Sequence, residues 1–149
     1  MDIADLEREA AQLVFARFTE DTALRLGLIL VEMARKDRLP VVIDIRTADR
    51  TLFHAALSGA MPLNDTWARR KSNTALHFQQ ASLLVGARHR SKGETLAKHG
   101  LPHADFSDHG GAVPIRVKGC GVVAVATVSG LPQLEDHRLV VRGLQSLLS

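Results

Sequence analysis

Near the C-terminus the chain runs Val122-Val-Ala-Val-Ala-Thr-Val128, an uncharged stretch between Gly121 and Ser129. Both alternating faces are apolar, the mark of a strand at the centre of a sheet. The run falls far short of the roughly 20 apolar residues that span a bilayer. It therefore demands sheet neighbours and packed helices, which the rest of the chain must supply. With 149 residues, 46% of them hydrophobic and 23% charged, the chain is sized and balanced for one globular domain, 1–149.

The neighbours are readable from changes of period. Ile3, Leu6, Ala10, Leu13 and Val14 recur at helical spacing and predict a first helix over 3–17. A second helix is expected from about Thr19 to Arg38. Thr19 caps it, Glu20 and Asp21 suit its positive start, and Pro40 stops it. Its polar stripe is only Arg25, Glu32 and Lys36, so the helix reads as buried on most sides. Val41 to Thr47 alternates as a half-buried strand, and Thr51 to Leu57 returns as its hairpin partner. Asn64 or Asp65 can cap a third helix, about Thr66 to Gln80. A fourth falls within Ala81–Lys98, interrupted around Gly86 and Gly93. After a loop from His99 to Ala112 come a strand at Val113–Lys118, a turn at Gly119-Cys120-Gly121, the central strand, and a last helix from Pro132. The expected fold is α/β (α+β), a central antiparallel sheet flanked by helices.

Charge is unevenly spread. Residues 1–21 carry six carboxylates against two bases, and residues 69–98 carry seven bases against one acid. Such asymmetry suits an anionic ligand or the pairing of unlike faces. It does not make a nucleic-acid module, because the chain has no Tyr, one Trp and five Phe to stack on bases. The acidic start lacks the basic segment of a signal peptide, so a cytoplasmic protein with no membrane span is expected. One cysteine, Cys120, excludes an intrachain disulfide and a Cys-based zinc site.

Candidate chemistry gathers in three places. Trp67, Lys71, Thr74 and Phe78 share one helical face, so a lysine lies between aromatics on a core-facing stripe. Lys71 and its neighbour Arg70 are either cations aimed at an anionic ligand or partner, or a snorkelling packing face. His109-Gly110-Gly111 permits close backbone approach to a ligand, or is a turn entering a strand. Ser129-Gly130 precedes a helix start, an anion site unless Glu135 and Asp136 merely cap the helix. Seven histidines raise metal or haem ligation, yet no HExxH is present. His99, His103, Asp105, Asp108 and His109 could gather in the loop. His109 or His54 would serve as an axial haem ligand. Cys120 and Ser129 lack the frame of a catalytic nucleophile.

Three segments carry a family resemblance: Asn64-Asp-Thr-Trp-Ala-Arg-Arg-Lys-Ser-Asn73, His109 to Gly121, and Val125 to Val141. Together they resemble the GlcG/HbpS-like superfamily of haem-degrading domains, whereas Leu76-His77-Phe78 departs from its pattern. The resemblance implies a profilin-like fold and a homo-oligomer, among relatives that include haem-binding sensors. Three readings follow. One is a cytoplasmic homo-oligomer that binds a small anionic molecule, haem or another tetrapyrrole among them, at Trp67, Arg70, Lys71, His109, Gly110, Gly111, Ser129 and Gly130. A second is a haem-degrading or related enzyme. The third is an assembly or chaperone-adaptor protein whose Trp67–Lys71 face lies between subunits.

Overall fold

The computed structural model describes residues 1–148. In chain order the elements are α1 (Ile3–Gln12), β1 (Val14–Phe15), α2 (Glu20–Lys36), β2 (Val42–Arg46), β3 (Thr51–Ala56), α3 (Pro62–Phe78) and α4 (Ser82–Lys92). A 3-10 turn (Leu96–His99), β4 (Ala112–Val117), β5 (Gly121–Ser129) and α5 (Gln133–Leu148) complete the fold. The sheet order is β1-β4-β5-β2-β3, so the uncharged run does occupy the centre. The β4–β5, β5–β2 and β2–β3 pairings are antiparallel, as the alternation predicts.

Sequence and structure differ at five places, each for a physical reason. α1 stops at Gln12, and Val14–Phe15 peels off as a short strand parallel to β4, which makes the sheet mixed. Phe15 is buried there and Lys118 donates its amide to the Phe15 carbonyl, bonds that another helical turn would forfeit. α2 keeps its Thr19 cap, with Thr22 completing a capping box, but it is not buried on most sides: Leu24 and Leu28 are 49% and 54% exposed. β2 is buried on both faces rather than half-buried, because α3 covers the side that carries Asp44. α3 begins at Pro62, with Asn64 acting from inside the first turn by accepting the Met61 amide. α4 runs unbroken through Gly86, where any side chain would collide with the Asp108 carbonyl; Gly93 then ends it in the left-handed region.

The sheet separates two unlike interiors. On one side Ile43, Ile45, Ile115, Ala126 and Val128 pack against Leu26 and Leu30 of α2 and Leu139 and Leu144 of α5. On the other, α3 lies over β4 and β5 with a smaller apolar contact, Ala75 on Ala112 and Val125, surrounded by buried polar side chains. The acidic N-terminus meets the basic segment within the chain through Arg88 of α4, which pairs with Glu7 at 2.9 Å, and it also reaches α5, where buried His137 pairs with Glu9 at 2.6 Å. No helix among the described residues is long and apolar enough to cross a membrane.

Candidate functional site

Lys71 sits on the inner face of α3, 2% exposed. An ammonium there must replace the water it loses, and its three hydrogens can do so only with three acceptors. It finds them in the Gly110 carbonyl (3.0 Å), the Val128 carbonyl (2.8 Å) and Asp136 Oδ2 (3.1 Å). Asp136 in turn accepts the Leu131 and Gly130 amides at 3.0 and 3.4 Å, so it caps the start of α5 while neutralising Lys71. Burial pushes the Lys71 amine below its ordinary range, opposed by the Asp136 charge. Burial likewise pushes the Asp136 carboxyl up, opposed by Lys71 and the capping amides. Gly111, at φ +134°, passes against Lys71 Nζ and 2.5 Å from the Val128 carbonyl as measured from an ideal Cβ, a space no side chain can enter.

Above this locked pair lies a cleft of about 200 Å³, lined by Asn64, Trp67, His109, Ser129, Gln133 and neighbouring backbone, with Lys71 and Asp136 in its floor. Its wall is a stack: the His109 ring lies 5.0 Å from Trp67, and the Arg70 guanidinium covers the indole at 4.4 Å. Arg70 is fixed by donating to the His103 carbonyl at 2.6 Å. Asn64 accepts the Met61 amide through Oδ1, and Gln133 accepts the Gly110 amide through Oε1. Both carboxamides are thereby oriented, and their NH2 groups find no partner among the described residues.

Of the residues singled out from the sequence, Trp67, Lys71, His109, Gly110, Ser129 and Gly130 line this cleft together. Arg70 backs Trp67, and Gly111 lies beneath the cleft. Lys71 is spent on its own chain, so a subunit contact through its amine is corrected to an internal strut. The Gly110 amide is taken by Gln133 and those of Gly130 and Leu131 by Asp136, so neither the Gly110-Gly111 pair nor the Ser129-Gly130 junction is an open anion nest. His54 is elsewhere. Its Nδ1 meets buried Asp44 at 2.8 Å and its Nε2 meets Asp65 at 3.0 Å, so neither nitrogen is free to ligate iron. Arg46 braces Asp44 at 2.6 Å, and that hydrogen bond raises the guanidinium's pKa. Among the described residues no cluster of three His, Cys, Asp or Glu side chains is arranged to hold a metal, so the His99–His109 loop does not form one. Sequence reading assigned Asn64 and Asp136 to capping alone and passed over Gln133. A lysine on a core face was itself the signal that a buried carboxylate must exist.

The comparisons with known proteins agree with the fold. A family model described as haem degrading protein HbpS-like matches residues 18–145. A UPF0303 protein of Streptomyces coelicolor is 49% identical, with 98% of this chain and 93% of that protein covered. One from Paraburkholderia phymatum is 51% identical, with 97% and 90% covered. Among solved structures, Ybr137w superposes with a TM-score of 0.89 at 29% identity, over 99% of this chain and 87% of that one. A PduOC:heme complex shares the fold, with a TM-score of 0.70 at 19% identity, over 89% and 95% of the two chains.

Proposed function

The chain belongs to the HbpS-like family, and on that premise we propose that it binds a small anionic molecule in the cleft between Trp67, His109 and Ser129. One observation carries the reading: the cleft offers donors. Lys71 and Asp136 satisfy each other, and the amide oxygens of Asn64 and Gln133 are taken by backbone N–H groups. What remains for a ligand is two carboxamide NH2 groups, the Ser129 hydroxyl and the His109 imidazole, none of which makes a hydrogen bond among the described residues. Such a set recognises oxygen acceptors, above all a carboxylate or phosphate.

Haem is a poor fit to the enclosed space. Pockets that enclose drug-sized ligands occupy roughly 300–1,000 Å³, and this cleft holds about 200 Å³. The His54 imidazole is consumed by two carboxylates. Among the described residues only His109, exposed at the mouth, has a free ring nitrogen beside the cleft, so a tetrapyrrole would have to lie across the surface.

Trp67 is the lone tryptophan and forms the cleft wall, so its emission reports occupancy directly. The test is titration with inorganic phosphate and with small mono- and dicarboxylates. A saturable change in emission, abolished by His109→Ala or Ser129→Val, is expected for at least one of them. No saturable change with any of them overturns the proposal. A parallel haemin titration, with a Soret shift lost in His109→Ala and kept in His54→Ala, would transfer the assignment to a surface-bound tetrapyrrole.

A further inference from the structure

The exposed side of α2 carries an arrangement that the single chain leaves unused. Leu24 and Leu28 stand 49% and 54% exposed, with Val31 half-buried beside them, on a helix otherwise built into the core. Charged side chains surround this ridge: Asp21 and Arg25 toward the helix start, Glu32 and Arg35 toward its end. All four are exposed, and none makes an ion pair among the described residues.

The order of these residues is self-complementary. At 100° per residue they all fall within about 60° of Leu28, on one face. We propose that this ridge joins two copies of the chain through an antiparallel pairing of their α2 helices, about a two-fold axis at Leu28. The axis sets Leu28 against its own symmetry mate. It sets Leu24 against Val31 on one flank and Arg25 against Glu32 on the other. At the ends it brings Asp21 to Arg35. Every contact is made twice, as an isologous interface requires. A parallel pairing would instead bring Asp21 to Asp21 and set Arg25 and Glu32 against Leu24 and Val31, so the charges select the antiparallel form and penalise the alternative. The same contact removes the one conflict between the α2 sequence and its surroundings, since a helix with so narrow a polar stripe becomes buried on most sides only in the pair.

The test is sedimentation equilibrium of the full chain, with far-UV circular dichroism of every variant. The wild type is expected at an even multiple of the chain mass, and Leu28→Glu at half that mass or less with its helix signal kept. Leu24→Glu takes its place should the first variant not fold. Asp21→Arg and Arg35→Asp each break two symmetry-related pairs and should weaken association roughly threefold to tenfold. The double variant exchanges the charges and should recover most of that loss. A wild type of one chain mass at all concentrations overturns the proposal. So does a folded Leu28→Glu of unchanged mass, or a double variant no tighter than its parents.

Discussion

The two interiors of this molecule are built by opposite means. On the α2 and α5 side of the sheet, aliphatic side chains from β2, β4, β5, α2 and α5 interlock and the buried atoms need no direction. On the α3 side, Asp44, Lys71, Ser72, Thr127 and Asp136 are all buried, and each is held by named partners: Ser72 to Thr127 at 2.8 Å, Asp44 to His54 and Arg46, Lys71 to Asp136. The first interior draws its stability from area, so it degrades gradually with volume. The second holds its geometry through reciprocity, so it fails when one partner is removed and recovers when both are. The cleft opens on the second side, where directed groups can be held in place for a ligand.

Substitutions can set these two modes against each other. The largest effect is expected at Lys71→Met, which leaves Asp136 buried and unpaired and should cost about 3–5 kcal/mol in urea unfolding. Adding Asp136→Asn, which preserves a capping acceptor, should recover much of that loss. On the apolar side Leu30→Ala should cost about 2–5 kcal/mol, and no second substitution on that side should restore it by removing a partner. Ser72→Ala should cost about 1–3 kcal/mol by orphaning the Thr127 hydroxyl, and Ser72→Ala with Thr127→Val should return close to the wild type. Equal additivity on both sides would erase the distinction.

The smallest effect is a pH dependence. With the Lys71 pKa lowered, the unfolded chain holds a proton that the folded one has released in the window below the ordinary 10.5, so stability rises with pH there. With the Asp136 pKa raised, the folded chain holds a proton that the unfolded one has lost in the window above the ordinary 3.8, so stability rises as pH falls there. Measured against Lys71→Met/Asp136→Asn, in which neither group titrates, wild-type stability should therefore dip between these windows. A flat difference would mean that the pair fully repays its burial.

The same division explains what the sequence made legible. Periodicity follows apolar burial, so β5, the β2–β3 hairpin, α2 and α5 were all readable from hydrophobic spacing. The two-residue β1 was not, because its pairing with β4 depends on residues about a hundred positions away, and no local period records that. The cleft was half legible. Trp67, Lys71, His109 and Ser129 stood out as residue types in unusual places, and they do converge. What could not be read was the allocation of hydrogen bonds. Whether Lys71 faces a ligand or an aspartate 65 positions later is decided by the approach of α3 to the start of α5, and only the folded chain contains that. His54 misled for the same reason, since Asp44 and Asp65 reach it from different elements.

The strand order also fixes a schedule for the nascent chain. The β2–β3 hairpin can pair early, whereas every other pairing includes β4 or β5, which are synthesised late. Val14 must wait for Arg116, at ribosomal speeds of about 5–20 residues per second a delay of roughly 5–20 s. Glu9 cannot meet His137 until the last helix has left the exit tunnel. During that interval α1 and α2 expose Leu6, Leu26 and Leu30, the side chains that later form the core. The molecule closes α1 against α5, so the fold of residues 3–148 cannot be completed until α5 has emerged.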